Sequence, residues 1–511
     1  RILDSTEIVA LYNDSTTYLP PLIASVYPHP NSNYFTKDEI VKIFFSEPMD
    51  ESTFTLNNIF VNGNLTGKYE KDFIYNSSSN TLEIQSTVPF KNGEQITVTL
   101  DSSIQSLSGR HLSPYIFQFN VKPEKGTAKF AVADSFQVNF SPSDVVSGDF
   151  NNDGKVDVIV SNYDSLKYTI LLNNGQGGFT LGEEMSGEFK PYSISFTDID
   201  NDRDLDMIVS TNEENKIRLL RGTGQGTFTS ILPTIDVNAP VATLPGDFDG
   251  DGDNDFVAFL NYAFNNARAY LYKNDGTGSF TQSGFVYIGF PASKRNVIGD
   301  FDNDGDLDIV VGQSEYTAAV RTLINDGNGN FTYYSGSNYG PYPDELAGGD
   351  FDGDFDLDII FCSWYQNGLI VMINDSTGSF TSYLNLGNVG GQSRNPVVND
   401  FDGDGDLDFV VNFNNNNLGI AKNNGYPAFE LYLSYPLSGL KGITAADFDN
   451  NGSIDLVGIN STTNQIIFLK NCVDSLVAYF PFDNNTKDFS GNINDGINYN
   501  GIFSKDRYGN D

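Results

Sequence analysis

Between residues 22 and 121 the chain runs through short alternating segments, VKIFFS, TLEIQS, QITVTL and YIFQFNV, separated by NGN, NSSSN and KNGE turns. Alternation with a period of two puts one face of each segment in a core, and close turn spacing predicts a β-sandwich of about 100 residues. From 126 to 472 the pattern changes to β-branched stretches such as Asp308-Ile309-Val310-Val311, each opened by an acidic turn. The expected fold is therefore all-β.

The acidic turns repeat. One motif occurs seven times: GDFNNDGKVDVIV from Gly148, TDIDNDRDLDMIV from Thr197, GDFDGDGDNDFVA from Gly246, GDFDNDGDLDIVV from Gly299, GDFDGDFDLDIIF from Gly349, NDFDGDGDLDFVV from Asn399 and ADFDNNGSIDLVG from Ala446. Their first acidic residues are spaced by 49, 49, 53, 50, 50 and 47 positions. A period near 50 with several strands per unit predicts a seven-bladed β-propeller over 126–472. A second marker, a Gly-rich turn and then an aromatic, runs in phase at Phe130, Phe179, Phe228, Phe280, Phe331, Phe380 and Phe429. The strand from Phe130 has no blade of its own, so it is expected to pair with the strands after Asp455 and close the ring.

Side chains at motif positions 1, 3, 5 and 9, with the carbonyl of position 7, can converge on one cation with the oxygen count that calcium prefers. The sets are Asp149, Asn151, Asp153, Lys155 and Asp157; Asp198, Asp200, Asp202, Asp204 and Asp206; Asp247, Asp249, Asp251, Asp253 and Asp255; and Asp300, Asp302, Asp304, Asp306 and Asp308. Three more follow: Asp350, Asp352, Asp354, Asp356 and Asp358; Asp400, Asp402, Asp404, Asp406 and Asp408; and Asp447, Asp449, Asn451, Ser453 and Asp455. Position 9 runs into a strand where an EF-hand would continue as a helix. The aromatic or Ile at position 2 is expected to point away from the ion and pack between blades.

Thirty-one of the 67 acidic side chains lie in these seven turns, where they repel one another without a counter-ion. With 29 Lys and Arg the net charge is −38, which disfavours nucleic acid and anionic membranes as partners. Two cysteines, Cys362 and Cys472, leave metal rather than disulfides to stabilise an extracellular chain. No apolar run approaches the ~20 residues of a membrane span. The missing initiator Met suggests a piece of a longer precursor.

The repeat region, Thr127 to Cys472, resembles the FG-GAP (VCBS) repeat family, which includes integrin α-subunit propellers and bacterial surface proteins. The resemblance implies calcium at Asp149, Asn151, Asp153 and Asp157 and at the matching positions of the other loops, about five to seven ions per chain. Arg203 and Phe355 depart from it at position 6, where Gly is expected. A non-Gly residue at positive φ costs ~1 kcal/mol, so loops 2 and 5 are expected to be distorted. Asn151 and Asn451 should weaken loops 1 and 7.

FSEPMDESTF, NGEQITVTL and IQSLSGRHL make residues 22–121 resemble a bacterial Ig-like domain. Residues 1–21 read as a linker or the end of an upstream domain, 122–125 as an open linker, and 475–511 as the incomplete start of a laminin-G-like, concanavalin-type jelly roll. His29 and His111 lack triad partners and read as surface or structural groups, so no catalytic residue is assigned. Tyr339, Tyr342 and Trp364 are candidate contacts for a sugar ring or a protein. The expected function is a non-catalytic, calcium-stabilised module, secreted or at the cell surface, for adhesion or surface assembly. Its partner would be a protein, a glycan or a copy of itself. The alternative is a carbohydrate-binding accessory region of a secreted polysaccharide-active enzyme.

Overall fold

The computed structural model describes residues 20–472 except 183, 187–188, 230–233, 262–265, 290, 314–319, 335–342, 364–367, 389–392, 414–416 and 438–439. Tyr339, Tyr342, Trp364, the segment 475–511 and nearly all of 1–21 lie outside the described residues. Among the described residues the regular structure is β-sheet, with two single 3-10 turns and no α-helix.

The N-terminal part is two four-stranded sheets. One has the order Ile23–Tyr27, Val41–Phe45, Thr81–Ser86, Lys71–Asn76, and the other Gly67–Lys68, Ile59–Gly63, Gln95–Leu100, Tyr115–Asn120. The alternation explains the packing. Val41, Ile43 and Phe45 are buried while Lys42 and Phe44 between them are half-buried. The buried faces meet in a core that includes Phe35, Ile43, Ile84, Val98 and Phe119. Each such side chain contributes about 1.5–3 kcal/mol by leaving water.

Seven antiparallel sheets follow, numbered here in chain order. Their first strands are Pro142–Gly148, Ser193–Thr197, Pro240–Gly246, Val297–Gly299, Pro343–Gly349, Ser393–Asn399 and Leu440–Ala446. Each ends one residue before motif position 1, and each second strand begins on the Asp of position 9. The motif is thus the hairpin connection between first and second strands. The fourth strand of sheet 7 comes from the other end of the region: Phe130–Gln137 pairs with Gln465–Asn471, Phe130 opposite Asn471.

Hydrophobic cores lie between consecutive sheets, and the position 2 residues fill them. Phe150 packs between sheets 1 and 2, Ile199 between 2 and 3, Phe248 between 3 and 4, and Phe301 between 4 and 5. Phe351 and Phe401 continue the series, and Phe448 lies in a core shared by sheets 7 and 1. The first strands of six sheets, together with the segment 292–296 that leads into the first strand of sheet 4, line a cavity of about 1260 Å³. At the loop end its lining passes to Asn33, Leu65, Gly93 and Val121 of the N-terminal sandwich.

The connection at 122–125 is not the open linker expected from its composition. Glu124 and Lys125 donate their backbone N–H groups to the carbonyl of Gly452 at 2.9 and 3.3 Å, which pins the connection to loop 7.

Candidate metal centres

Each loop is folded by its own carboxylates. The N–H of position 6 donates to the position 1 carboxylate in all seven loops, at 2.9–3.1 Å, from Gly154, Arg203, Gly252, Gly305, Phe355, Gly405 and Gly452. The N–H of position 7 donates to the side-chain oxygen of position 5, from Lys155 to Asp153 through Ser453 to Asn451. Position 9 is buried: Asp308 accepts from the N–H of Phe301 with one oxygen and of Asn325 with the other.

Loops 2 and 5 are not distorted. Arg203 and Phe355 have φ of 80° and 73°, beside 81° to 104° for the glycines of the other loops, and keep the same hydrogen bond to position 1. The left-handed backbone is held by the surrounding loop, which outweighs the preference of a single side chain.

These bonds gather the acidic groups. Asp198, Asp200 and Asp206 each place an oxygen within 4.8 Å of the others, as do Asp247, Asp249 and Asp251, Asp300, Asp302 and Asp304, Asp350, Asp352 and Asp358, and Asp400, Asp402 and Asp404. Burial, with help from neighbouring carboxylates, pushes Asp255 and Asp308 up to about 9, and Asp206, Asp247, Asp408 and Asp455 up to about 8. Position 3 is the least satisfied. One oxygen of Asp200, Asp249, Asp302, Asp352 and Asp449 is buried without a hydrogen-bond partner. A buried carboxylate oxygen without a donor is costly, and a cation is the partner that several such groups can share. The donor set is all oxygen, as a hard divalent cation requires.

Residues 149–209, 198–258, 247–311, 300–361, 350–411 and 400–458 each match the FG-GAP-like repeat, an unbroken stretch of more than half the chain. The chain belongs to the FG-GAP-like repeat family. Each match starts at position 1 of one loop and runs into the strand after the next, so successive FG-GAP-like repeats share a loop. Ahead of them, residues 18–121 match the bacterial Ig-like domain. No curated protein matches the chain. Among solved structures, BBS1N in complex with ARL6DN is similar at 12% identity and a TM-score of 0.49, over 69% of this chain and 98% of that one. An Agrocybe aegerita lectin described as recognising non-reducing terminal N-acetylglucosamine is similar at 16% identity and a TM-score of 0.43, over 81% and 95%.

The FG-GAP-like repeats carry two further groups of residues that loop spacing did not reveal. In six sheets an Asn stands at or just after the end of the third strand, and the amides of Asn173, Asn274, Asn325, Asn374, Asn423 and Asn471 donate at 2.7–2.9 Å to the carbonyl of position 2 in the preceding sheet's loop. Sheet 2 has Gly222 there, and the N–H of Gly226 serves the Phe150 carbonyl instead, at 2.9 Å. The second group is cationic. One residue before that Asn or Gly, Arg221, Lys273, Lys422 and Lys470 pair with the position 3 Asp of their own sheet, at 3.0 Å for Lys273 and Asp249. Sheets 4 and 5 have Ile324 and Ile373 in that place. In loop 1 Lys155 Nζ bonds Asp153 at 2.8 Å, so what Lys155 offers an ion is its carbonyl.

Proposed function

We propose that the seven sheets are the blades of a closed β-propeller whose loops each hold a calcium ion, in a non-catalytic extracellular module for adhesion or surface assembly. The observation that carries the reading is the set of five half-buried position 3 carboxylates, Asp200, Asp249, Asp302, Asp352 and Asp449, each with a buried oxygen lacking a hydrogen bond, beside further carboxylates within reach of one ion. The core shared by sheets 7 and 1 and the pairing of Phe130–Gln137 with Gln465–Asn471 support closure, because together they leave the repeat array without a free end. The side chains of positions 1, 3, 5 and 9 and the carbonyl of position 7 would hold the ion. Its two positive charges would offset the repulsion within each loop and stiffen the ring.

Among the described residues no helix is long and apolar enough to cross a membrane. A protein or a glycan at a cell surface is the partner this reading fits. Metal analysis of the purified chain checks it: about five to seven calcium ions per chain are expected, and fewer than three would end the calcium reading. Calorimetry in millimolar calcium and in EDTA gives the energetic arm, since a site held tenfold above its Kd adds about 1.4 kcal/mol.

A further inference from the structure

Position 6 has a second duty. With its backbone left-handed, its carbonyl faces outward from the loop, and in four loops that carbonyl accepts from the sandwich or its connection. Gly154 O accepts from Lys91 Nζ at 2.8 Å, Gly305 O from the N–H of Ile116 at 2.6 Å, Phe355 O from the amide of Asn31 at 2.9 Å, and Gly452 O from Glu124 N–H at 2.9 Å.

Loops 3 and 6 meet the sandwich by close approach. A Cβ on Gly252 would come within 1.9 Å of the Phe60 ring, and one on Gly405 within 2.3 Å of Tyr34. Glycine at these positions is demanded by the neighbour as well as by φ.

The two residues that break the glycine rule make specific contacts with the same domain. Arg203 forms an ion pair with Glu70, and the Phe355 ring lies 4.3 Å from the ring of His29. Apolar anchoring accompanies them: Ile116 is buried in the core between sheets 3 and 4, and Leu65 in the core between sheets 7 and 1.

We propose that the ring of loops is an internal docking face for the Ig-like domain, with Arg203 and Phe355 as its anchor residues. Cation loading of the loops and seating of the Ig-like domain then form one linked equilibrium. The linkage rests on the calcium reading above. A loop that holds its ion presents its outward carbonyl and position 6 side chain in the geometry the seat needs, and a seated domain in turn holds the loop in its ion-binding shape. Metal therefore sets whether the Ig-like domain is locked or released.

The test is hydrogen–deuterium exchange on the full chain, read at the amides of Ile116, Glu124 and Asp149, the last of which donates to Leu65 O at 2.7 Å. Calcium is titrated in parallel. In calcium these amides should be protected, and in EDTA they should exchange at least about tenfold faster while Ile43 and Val98, inside the sandwich, stay protected. The double variant Arg203→Gly/Phe355→Gly is compared in saturating calcium. A role confined to the loop predicts equal or better protection, because glycine suits positive φ; a docking role predicts faster exchange at the seat with the calcium count unchanged. Absence of bound calcium would remove the calcium reading and the linkage with it. Bound calcium with equal seat protection in EDTA would overturn the linkage alone. Should EDTA unfold the sheets as well, the double variant decides, and unchanged seat exchange there overturns the docking role.

Discussion

The side-chain amide of Asn173 donates to the carbonyl of Phe448 at 2.7 Å, a hydrogen bond that joins the first sheet of the repeat region to the last. The same side chain donates to the carbonyl of Val156 at 2.9 Å, so one amide serves the acidic hairpin of its own sheet and that of the neighbouring sheet. Asn suits the place because its two N–H groups point at two carbonyls while its oxygen accepts from the turn that follows, here from Gly175 N–H at 2.9 Å.

Removing one such clasp should cost more than its small size suggests. Asn325→Ala leaves the Phe248 carbonyl and the turn without their partners in a site where Asn325 is 3% exposed. About 1–3 kcal/mol should be lost, lowering the thermal midpoint by several degrees with bound calcium unchanged. A midpoint within error of the parent would show that the clasp is incidental to stability.

The cations beside position 3 divide the loops by affinity. Lys422 stands against Asp402 and Asp404, whereas loops 4 and 5 face Ile324 and Ile373 in that position. Loops 4 and 5 should therefore fill first as calcium is titrated. Lys422→Met should tighten loop 6 by about fivefold, roughly the 1 kcal/mol of one partly screened like charge. Weaker binding by this variant, measured by isothermal titration, would contradict the competition.

Position 3 offers a change whose sign depends on metal. Burial and Asp304 raise Asp302 to about 6, so Asp302→Asn removes a disfavoured charge, as loop 1 already does with Asn151. The metal-free chain should melt slightly higher than the parent. In calcium it should melt lower, because a site worth about 1.4 kcal/mol at tenfold its Kd is weakened. The same direction of change in both conditions would refute the assignment of Asp302 to an ion.

Stability of the metal-free chain should fall as pH rises. A carboxyl whose pKa is higher folded than unfolded binds its proton better when folded, so its contribution is present at pH 4 and lost through the folded value. Asp157 at about 7, Asp408 at about 8 and Asp255 at about 9 place that loss between about pH 4 and 9. Calcium should reverse the trend, since it binds the ionised form, and the gap between the two melting curves should widen with pH. Parallel curves from pH 5 to 9 would argue that these groups do not titrate with folding.

The loops and their packing were legible in the sequence because both depend on local spacing. Phe301, one residue after Asp300, reaches the inter-sheet core because the strand ends there and the hairpin turns its next side chain inward. The clasps were not legible, since the partner of Asn274 is the backbone carbonyl of Ile199, which carries no side-chain signature and lies 75 residues away. Arg203 and Phe355 read as faults within their loops for a similar reason. Their partners Glu70 and His29 belong to another domain, and a repeat compared only with itself cannot show what rests on it.

The pairing of Phe130–Gln137 with Gln465–Asn471 also decides how the seven sheets meet tension. Because Phe130 stands opposite Asn471, the chain enters and leaves the seven sheets at the same end of one antiparallel pair. A pull applied between the two flanking segments reaches that pair as a fork, where bonds open one at a time, and spares the other six sheets until it has opened. The fork is fastened where the force arrives: Thr127 N–H donates to the side chain of Asn471 at 3.2 Å, and Cys472 N–H to the carbonyl of Lys129 at 2.8 Å. Those few bonds, rather than the bulk of the sheets, set the load at which such a tether begins to give.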